Sequence, residues 1–266
     1  MENIKFSIIM PAYNAESAII NSINSVLNQT YHNYEFIIID DCSTDNTYNV
    51  VKEYPQIRLF QTPVNSKQGA ARNIGLNNAT GDYVFFLDAD DTFYDNQVLE
   101  NLAKTINKND NPDIVYMGMK LVGKNNLEII PTEDNTDKAF RLGKNKWMNV
   151  TSLCTKLSLI QNNNFRFPEH MRYEDVVLAF LIIDKAQTYT YVDYFTYLYI
   201  TRENSTTTTY SFAQAIDTAR LIEELAKLKN VINKENIPYL KERIAEQKEK
   251  LNTRMERAIE SYFQDK

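Results

Sequence analysis

Tyr83-Val84-Phe85-Phe86-Leu87-Asp88-Ala89-Asp90-Asp91 is the stretch that decides the fold. Five aromatic and aliphatic residues follow the turn dipeptide Gly81-Asp82 and stop abruptly at three acids spread over four positions. A run of that length, opened by a turn and closed by charge, predicts a buried strand of a parallel sheet. Open α/β sheets bind ligands at the C-terminal ends of their strands, so Asp88, Ala89 and Asp90 fall where a site belongs. Carboxylates two apart on an extended chain can converge on one hard cation. Mg²⁺ or Mn²⁺ suits them, completing its shell with water and substrate phosphates. A lone Asp-X-Asp is more often a plain acidic turn, so the rest of the chain has to decide.

Upstream of that strand the chain keeps a β-α-β-α-β rhythm. A first strand runs into Pro11-Ala12-Tyr13-Asn14, and Ala18, Ile19, Ile23, Val26 and Leu27 then recur at helical spacing. A second strand over 34–39 stops at Asp40-Asp41, where acids again close an apolar run. Ser43-Thr44-Asp45-Asn46-Thr47 is rich in helix N-cap types and leads into a helix over 48–54, followed by a short strand over 57–61. After Asn65, Gly69-Ala70-Ala71-Arg72-Asn73 sets small residues and one cation at a helix start. Free amides there bind anions, and Arg72 can either meet a phosphate or fix an acidic neighbour.

Downstream, a helix to about residue 107 precedes a strand over 113–121 with a hairpin return at 128–130. The polar stretch 132–146 reads as a loop with a short helix, and 147–160 as a strand passing into a helix. Tyr173-Glu174-Asp175-Val176-Val177-Leu178 opens a strongly apolar helix with two acids. The helix dipole alone accounts for them; a partly desolvated carboxylate at that position can also take a proton from an acceptor hydroxyl. Residues 189–200 read as two short strands turning near Asp193, and the polar tract from Thr201 through four threonines reads as a lid over a site.

From residue 211 the composition shifts to Ala, Leu, Ile, Lys and Glu, giving helices over 212–231 and 238–263. Leu240, Ile244, Gln247, Leu251, Met255, Ala258 and Tyr262 share one face of the second. That face suits packing on the rest of the chain first. A homo-oligomer or peripheral membrane contact through these helices comes after it, and the mixed charge of the opposite face weakens the membrane option. The expected division is 1–210 for the α/β domain and 211–266 for a C-terminal helical extension.

A net charge of −6 argues against a general nucleic-acid surface. Cys42 and Cys154 lie outside any Cys-X-X-Cys spacing, which fits a reducing cytoplasm and gives no zinc or disulfide framework. The longest apolar run, 176–183, is too short to span a bilayer. The expected location is therefore cytoplasmic, or peripheral at the inner membrane face.

Taken together, Pro11-Ala12-Tyr13-Asn14, Asp40-Asp41 with Cys42-Ser43-Thr44-Asp45, Ala71-Arg72-Asn73-Ile74-Gly75, Asp88-Ala89-Asp90 and Glu174-Asp175 resemble the family 2 glycosyltransferases in order and spacing. The resemblance covers residues 4 to about 205. It implies a GT-A fold, a Rossmann-like α/β domain with a mixed, mainly parallel sheet, and inverting transfer from a nucleotide-diphosphate sugar with UDP as the nucleotide. Pro11, Ala12, Tyr13 and Asn14 would line the nucleoside pocket, and Asp41 would accept the uracil N3 proton. Asn65 and Arg72 would flank base and diphosphate. Asp90 would be the direct metal ligand, with Asp88 bonding ribose or a metal-bound water and Ala89 between them in the nucleotide-sugar site. Asp175 would be the base and Glu174 would shape the acceptor site. The implied acceptor is a glycan or glycolipid of the cell surface, such as capsule, lipopolysaccharide or teichoic acid.

The sequence departs from the family after Tyr199, where many relatives read Tyr-Arg-X-His-X-X-Ser. Ile200 and Arg202 stand in those places. A metal-reaching His is thus replaced, and Arg202 with Ser205 is expected to meet the diphosphate. Two rivals use similar parts. A sugar-phosphate nucleotidyltransferase needs a Gly-rich basic loop after its first strand, where this chain has Pro11-Ala12-Tyr13-Asn14; a silent sugar-nucleotide-binding module has no use for Asp90 and Asp175.

Overall fold

The computed structural model describes residues 3–123, 126–132, 141–142, 149–201 and 211–264. In chain order the main elements are β1 (Phe6–Ala12), α1 (Ile19–Leu27), β2 (Tyr34–Asp40), α2 (Thr47–Lys52), β3 (Arg58–Gln61), α3 (Lys67–Asn78), β4 (Tyr83–Phe86), β5 (Thr92–Phe93) and α4 (Val98–Lys108). There follow β6 (Ile114–Val122), β7 (Leu127–Ile129), β8 (Leu153–Lys156), α5 (Leu157–Asn162), α6 (Glu174–Lys185), β9 (Tyr189–Ile200), α7 (Phe212–Lys227) and α8 (Ile237–Gln264).

Alternation along the central strands builds two cores. Ile9, Ile37, Ile39, Val84 and Phe86 face one side of the sheet, where α3, α5, α6 and α7 cover them. Phe6, Ile8, Met10, Phe36, Ile38, Tyr83 and Phe85 face the other, under α1 and α4. Both faces are apolar because both are covered, as the unbroken apolar runs predict. The sheet order is β3-β2-β1-β4-β8-β6-β9-β5, with β7 paired to β6. The long β1–β2 and β6–β9 ladders are parallel, while β8 runs antiparallel to β4 and β6. The result is a mixed, mainly parallel sheet that leaves the ends of β1, β2 and β4 on one edge.

Close packing of α3 on the sheet depends on Gly75. A Cβ there would sit 2.4 Å from Ile9 Cγ2, so the helix could not reach β1 with any larger residue.

Residues 189–200 correct the expectation of two strands. They form the single strand β9, whose pairing with β6 shifts between Tyr116 and Gly118. Gly118 lets Tyr194 bulge toward it, since a Cβ there would lie 2.2 Å from the Tyr194 carbonyl oxygen. A bulge breaks the alternation of side chains just as a turn does, which is why the pattern reads as a turn. The expected loop over 132–146 and lid after Thr201 fall largely outside the described residues.

Along α8 the apolar stripe divides. Leu240, Gln247 and Ala258 are buried, whereas Met255 and Tyr262 are exposed beside Ile259 and Phe263. The first part joins the core shared with α6 and α7.

Candidate active site

Five segments meet at the C-terminal edge of the sheet: the end of β1, the end of β2, the start of α3, the end of β4 and the start of α6. Between them lies a cleft of about 500 Å³, within the range that holds a small ligand. Of the residues expected from sequence, Pro11, Ala12, Tyr13, Asp41, Asn65, Arg72, Asp88, Glu174 and Asp175 line it. Asn14, Ala89 and Asp90 stand beside it. Arg202 and Ser205 lie outside the described residues.

Local geometry explains most of these placements. The Asn14 carboxamide oxygen accepts from the Thr44 amide (2.8 Å), stapling the loop after β1 to the loop after β2 at a backbone φ of 48°. The Ala89 carbonyl accepts from Ser22 Oγ at 2.9 Å, which ties the acidic turn to α1. Asp41 is buried, and its carboxylate takes bonds from Thr62 Oγ1 (2.8 Å) and the Ser66 amide (2.9 Å). The Ser66 amide also reaches Oδ2 at 3.2 Å, which leaves one lone-pair position on Oδ2 for a ligand N–H.

Arg72 is the hinge of the arrangement. It is 2% exposed, yet its two terminal nitrogens bond two different acids: Asp88 at 2.7 Å, and Glu174. One guanidinium therefore couples the end of β4 to the start of α6, and the second sequence option, fixing acidic neighbours, is the geometry found. Burial disfavours its charge, but Asp88 and Glu174 outweigh that and hold the guanidinium above its ordinary range. The Phe167 ring lies 5.5 Å from its centre.

The acids answer in kind. Burial pushes the Glu174 carboxyl up to about 7, against the pull of Arg72. Burial also raises Asp175, with Arg72 opposing and Asp88 adding to the rise. A carboxylate raised this way is a better proton acceptor than a free one.

Oxygen-only ligands and surplus negative charge make the end of β4 suited to a hard divalent cation. Asp91 is held well above the usual carboxylate range by burial and then by Asp88 and Asp90, so a cation would relieve a repulsion already present. Among the described residues no group of three or more His, Cys, Asp or Glu side chains is arranged around a common point. The fit is to a cation carried on one or two carboxylates and a substrate phosphate.

Sequence reasoning gave Asp91 no role. It is 1% exposed and locks the turn to β9, accepting from the Tyr197 hydroxyl (2.6 Å) and the Ile200 amide (2.9 Å). Lys67, Gln68, Met119, Asn149, Thr151, Met171, Arg172, Tyr173 and Tyr199 also line the cleft without having been singled out. Two of them stand out by backbone alone: Lys67 and Tyr173 both have φ of 66°. Asn73 carried a signal in its place beside Arg72. Its carboxamide bonds the Phe167 carbonyl and amide, fixing the loop that leads to Glu174.

A profile of the Glycosyl transferase family 2 matches residues 7–166, more than half of the chain. The chain belongs to glycosyltransferase family 2. An uncharacterized glycosyltransferase of Haemophilus influenzae is 39% identical over 178 residues, 64% of this chain and 68% of that one. The poly(ribitol-phosphate) beta-N-acetylglucosaminyltransferase TarS of Staphylococcus aureus is 30% identical over 64% of this chain but only 30% of its own length. The crystal structure of TarS residues 1–349 with UDP-GlcNAc superposes with a TM-score of 0.70, covering 84% of this chain and 66% of that one at 25% identity. The Escherichia coli enzyme WfgD, a UDP-Glc:alpha-D-GlcNAc-diphosphoundecaprenol beta-1,3-glucosyltransferase, is 40% identical over 48% of this chain and 50% of its own. The chain thus spans half or less of two of these relatives. Membership gives the GT-A fold and places the chain among the glycosyltransferases; by their names, TarS acts on poly(ribitol-phosphate) and WfgD on alpha-D-GlcNAc-diphosphoundecaprenol.

Proposed function

We propose that the chain transfers a sugar from a UDP-sugar to a hydroxyl of a cell-surface glycan or glycolipid, with inversion at the anomeric carbon. The observation that carries this reading is the Arg72 bridge, which brings the donor-side acid Asp88 and the acceptor-side pair Glu174–Asp175 to one cleft. Asp175 takes the proton of the acceptor hydroxyl as its oxygen attacks the anomeric carbon. The bond from that carbon to the diphosphate breaks, and UDP leaves with the electron pair. Glu174, bonded to Arg72, positions the helix start from which Asp175 projects. Pro11, Ala12, Tyr13 and Asn14 frame the nucleoside, Asp41 receives the uracil N–H, and Asn65 flanks the base.

Asp90, with Asp88, would hold Mn²⁺ or Mg²⁺, which when bound neutralises charge on the diphosphate. Arg202 and Ser205 belong to the same proposal as diphosphate contacts. The division into a catalytic part, 1–210, and a helical extension, 211–266, completes it, with the exposed end of α7 and α8 as the place for a second copy or a membrane face. Among the described residues no helix is long and apolar enough to cross a membrane.

UDP release with Mn²⁺ across a panel of UDP-sugars tests the reaction. One donor should be turned over by the wild type, with Asp175→Asn and Asp90→Ala each lowering kcat by roughly a hundredfold or more. Release of pyrophosphate in place of UDP would replace the transferase with a nucleotidyltransferase, and turnover that survives Asp175→Asn would remove the assigned base.

A further inference from the structure

The C-terminal helices reach the cleft through one buried acid. Asp217 on α7 has a side chain only 3% exposed, and three cations converge on its carboxylate. Lys67 Nζ lies 3.2 Å from both oxygens, Arg172 Nη1 lies 3.1 Å from Oδ2, and Arg220 Nη1 lies 3.3 Å from Oδ1. One negative charge faces three positive ones, so the cluster keeps a positive surplus after internal pairing. Lys67 and Arg172 carry that surplus into the cleft wall.

The backbone confirms that Lys67 is held there at a cost. Its φ of 66° opens α3 in a left-handed conformation, which disfavours an L residue with a Cβ by on the order of 1 kcal/mol. Strain of this kind persists where surrounding structure overrides it, and the ion pair to Asp217 is the charged contact that Lys67 makes in that conformation. The other cation of the cleft, Arg72, has both terminal nitrogens engaged by acids. Arg172 stands three residues before Asp175, the group proposed to take the acceptor's proton, and lines the same cleft.

We propose that Lys67 and Arg172, positioned by Asp217, form an anion subsite that takes a phosphate carried by the acceptor. It presupposes the sugar-transfer reading of the cleft and adds the acceptor's chemical class to it. A guanidinium offers paired N–H donors to phosphate oxygens and an ammonium adds a point charge, so the two together suit a phosphodiester or diphosphate group. Asp217 does not touch that group; it fixes where the two cations stand.

The test is calorimetric titration of the full chain with UDP, and of the UDP-loaded chain with a short phosphodiester-linked glycerol oligomer, using free glycerol as the neutral control. The wild type should bind the oligomer in a salt-dependent manner and not glycerol. The Lys67→Gln/Arg172→Gln double variant should lose at least roughly tenfold in oligomer affinity while UDP affinity stays within about threefold. Asp217→Asn should also weaken the oligomer although it makes the cleft more positive, a result that charge alone would reverse; melting curves confirm that each variant is folded. A wild type that binds UDP but not the oligomer overturns the subsite and leaves the donor reading standing. A double variant that loses UDP affinity and keeps the oligomer also overturns it, assigning these cations to the donor diphosphate. Failure of the wild type to bind UDP at all would instead count against the sugar-nucleotide reading.

Discussion

At the scale of single residues, the site is a problem in crowding like charges. Asp88, Glu174 and Asp175 all feel one another, and Arg72 is the one guanidinium that bonds both Asp88 and Glu174. Its help is incomplete for Glu174, whose carboxyl burial raises from 4.5 to about 7. The sign of the stability effect follows from that direction. The folded chain keeps the Glu174 proton to higher pH than the unfolded chain does, so the stabilisation is complete below about 4.5 and is lost as pH rises through about 7. The group accounts for on the order of 3 kcal/mol across that window. Urea midpoints taken from pH 4.5 to 7 should therefore slope less in Glu174→Gln than in the wild type. Equal slopes in the two proteins would mean that Arg72 keeps Glu174 ionised throughout. Such couplings are invisible in sequence: Arg72 and Glu174 lie 102 positions apart, and only the helix-start chemistry of each could be read.

At the scale of elements, the sequence spoke clearly wherever a period was unbroken. The apolar runs of β1, β2 and β4 marked the strand ends that carry Asp41 and Asp88, and the small residues at the start of α3 marked the helix that carries Arg72. It spoke poorly where one element is shaped by another, as in β9, whose bulge exists because Gly118 makes room for Tyr194. The loop before α6 is the second such case. Its path is set by Asn73, by Arg254, whose guanidinium lies 4.2 Å over the Tyr173 ring, and by Gly69. A Cβ at Gly69 would lie 2.2 Å from the Pro168 carbonyl oxygen and 3.0 Å from Glu174 Cγ. Backbone cannot yield as a flexible side chain can. Gly69→Ala should therefore push the loop and the start of α6 away from α3, costing about 1–3 kcal/mol of stability and at least roughly tenfold in kcat. Thermal melts and UDP release measure the two effects separately. Wild-type turnover would show that the position of Asp175 does not depend on this contact.

At the scale of the whole molecule, the helices after residue 211 are joined to the catalytic sheet more deeply than their composition shift implies. Leu221, Leu225, Leu228, Ile232 and Leu240 belong to the same buried cluster as Ile9, Phe86 and the apolar face of α6. Each fully buried aliphatic side chain contributes about 1.5–3 kcal/mol by leaving water, so together they rival the whole net stability of an ordinary domain. Asp217 and Arg254 extend the connection to Lys67, Arg172 and Tyr173 at the cleft. The boundary drawn at 210 therefore separates compositions and not cores. A chain ending at residue 210 would lose Leu221, Leu225, Leu228, Ile232 and Leu240 from the buried cluster they share with α6, and would release Lys67 and Arg172 from their common acid. It should melt without a cooperative transition or aggregate on expression, and UDP should fail to protect it from proteolysis. A truncated chain that melts cooperatively near the wild-type temperature and still binds UDP would show the opposite, that 211–266 is an appendage that the catalytic fold can lose. Between those outcomes the apolar cluster favours the first, because α6 packs directly on α7 and shares its buried core with five aliphatic residues that the shorter chain lacks.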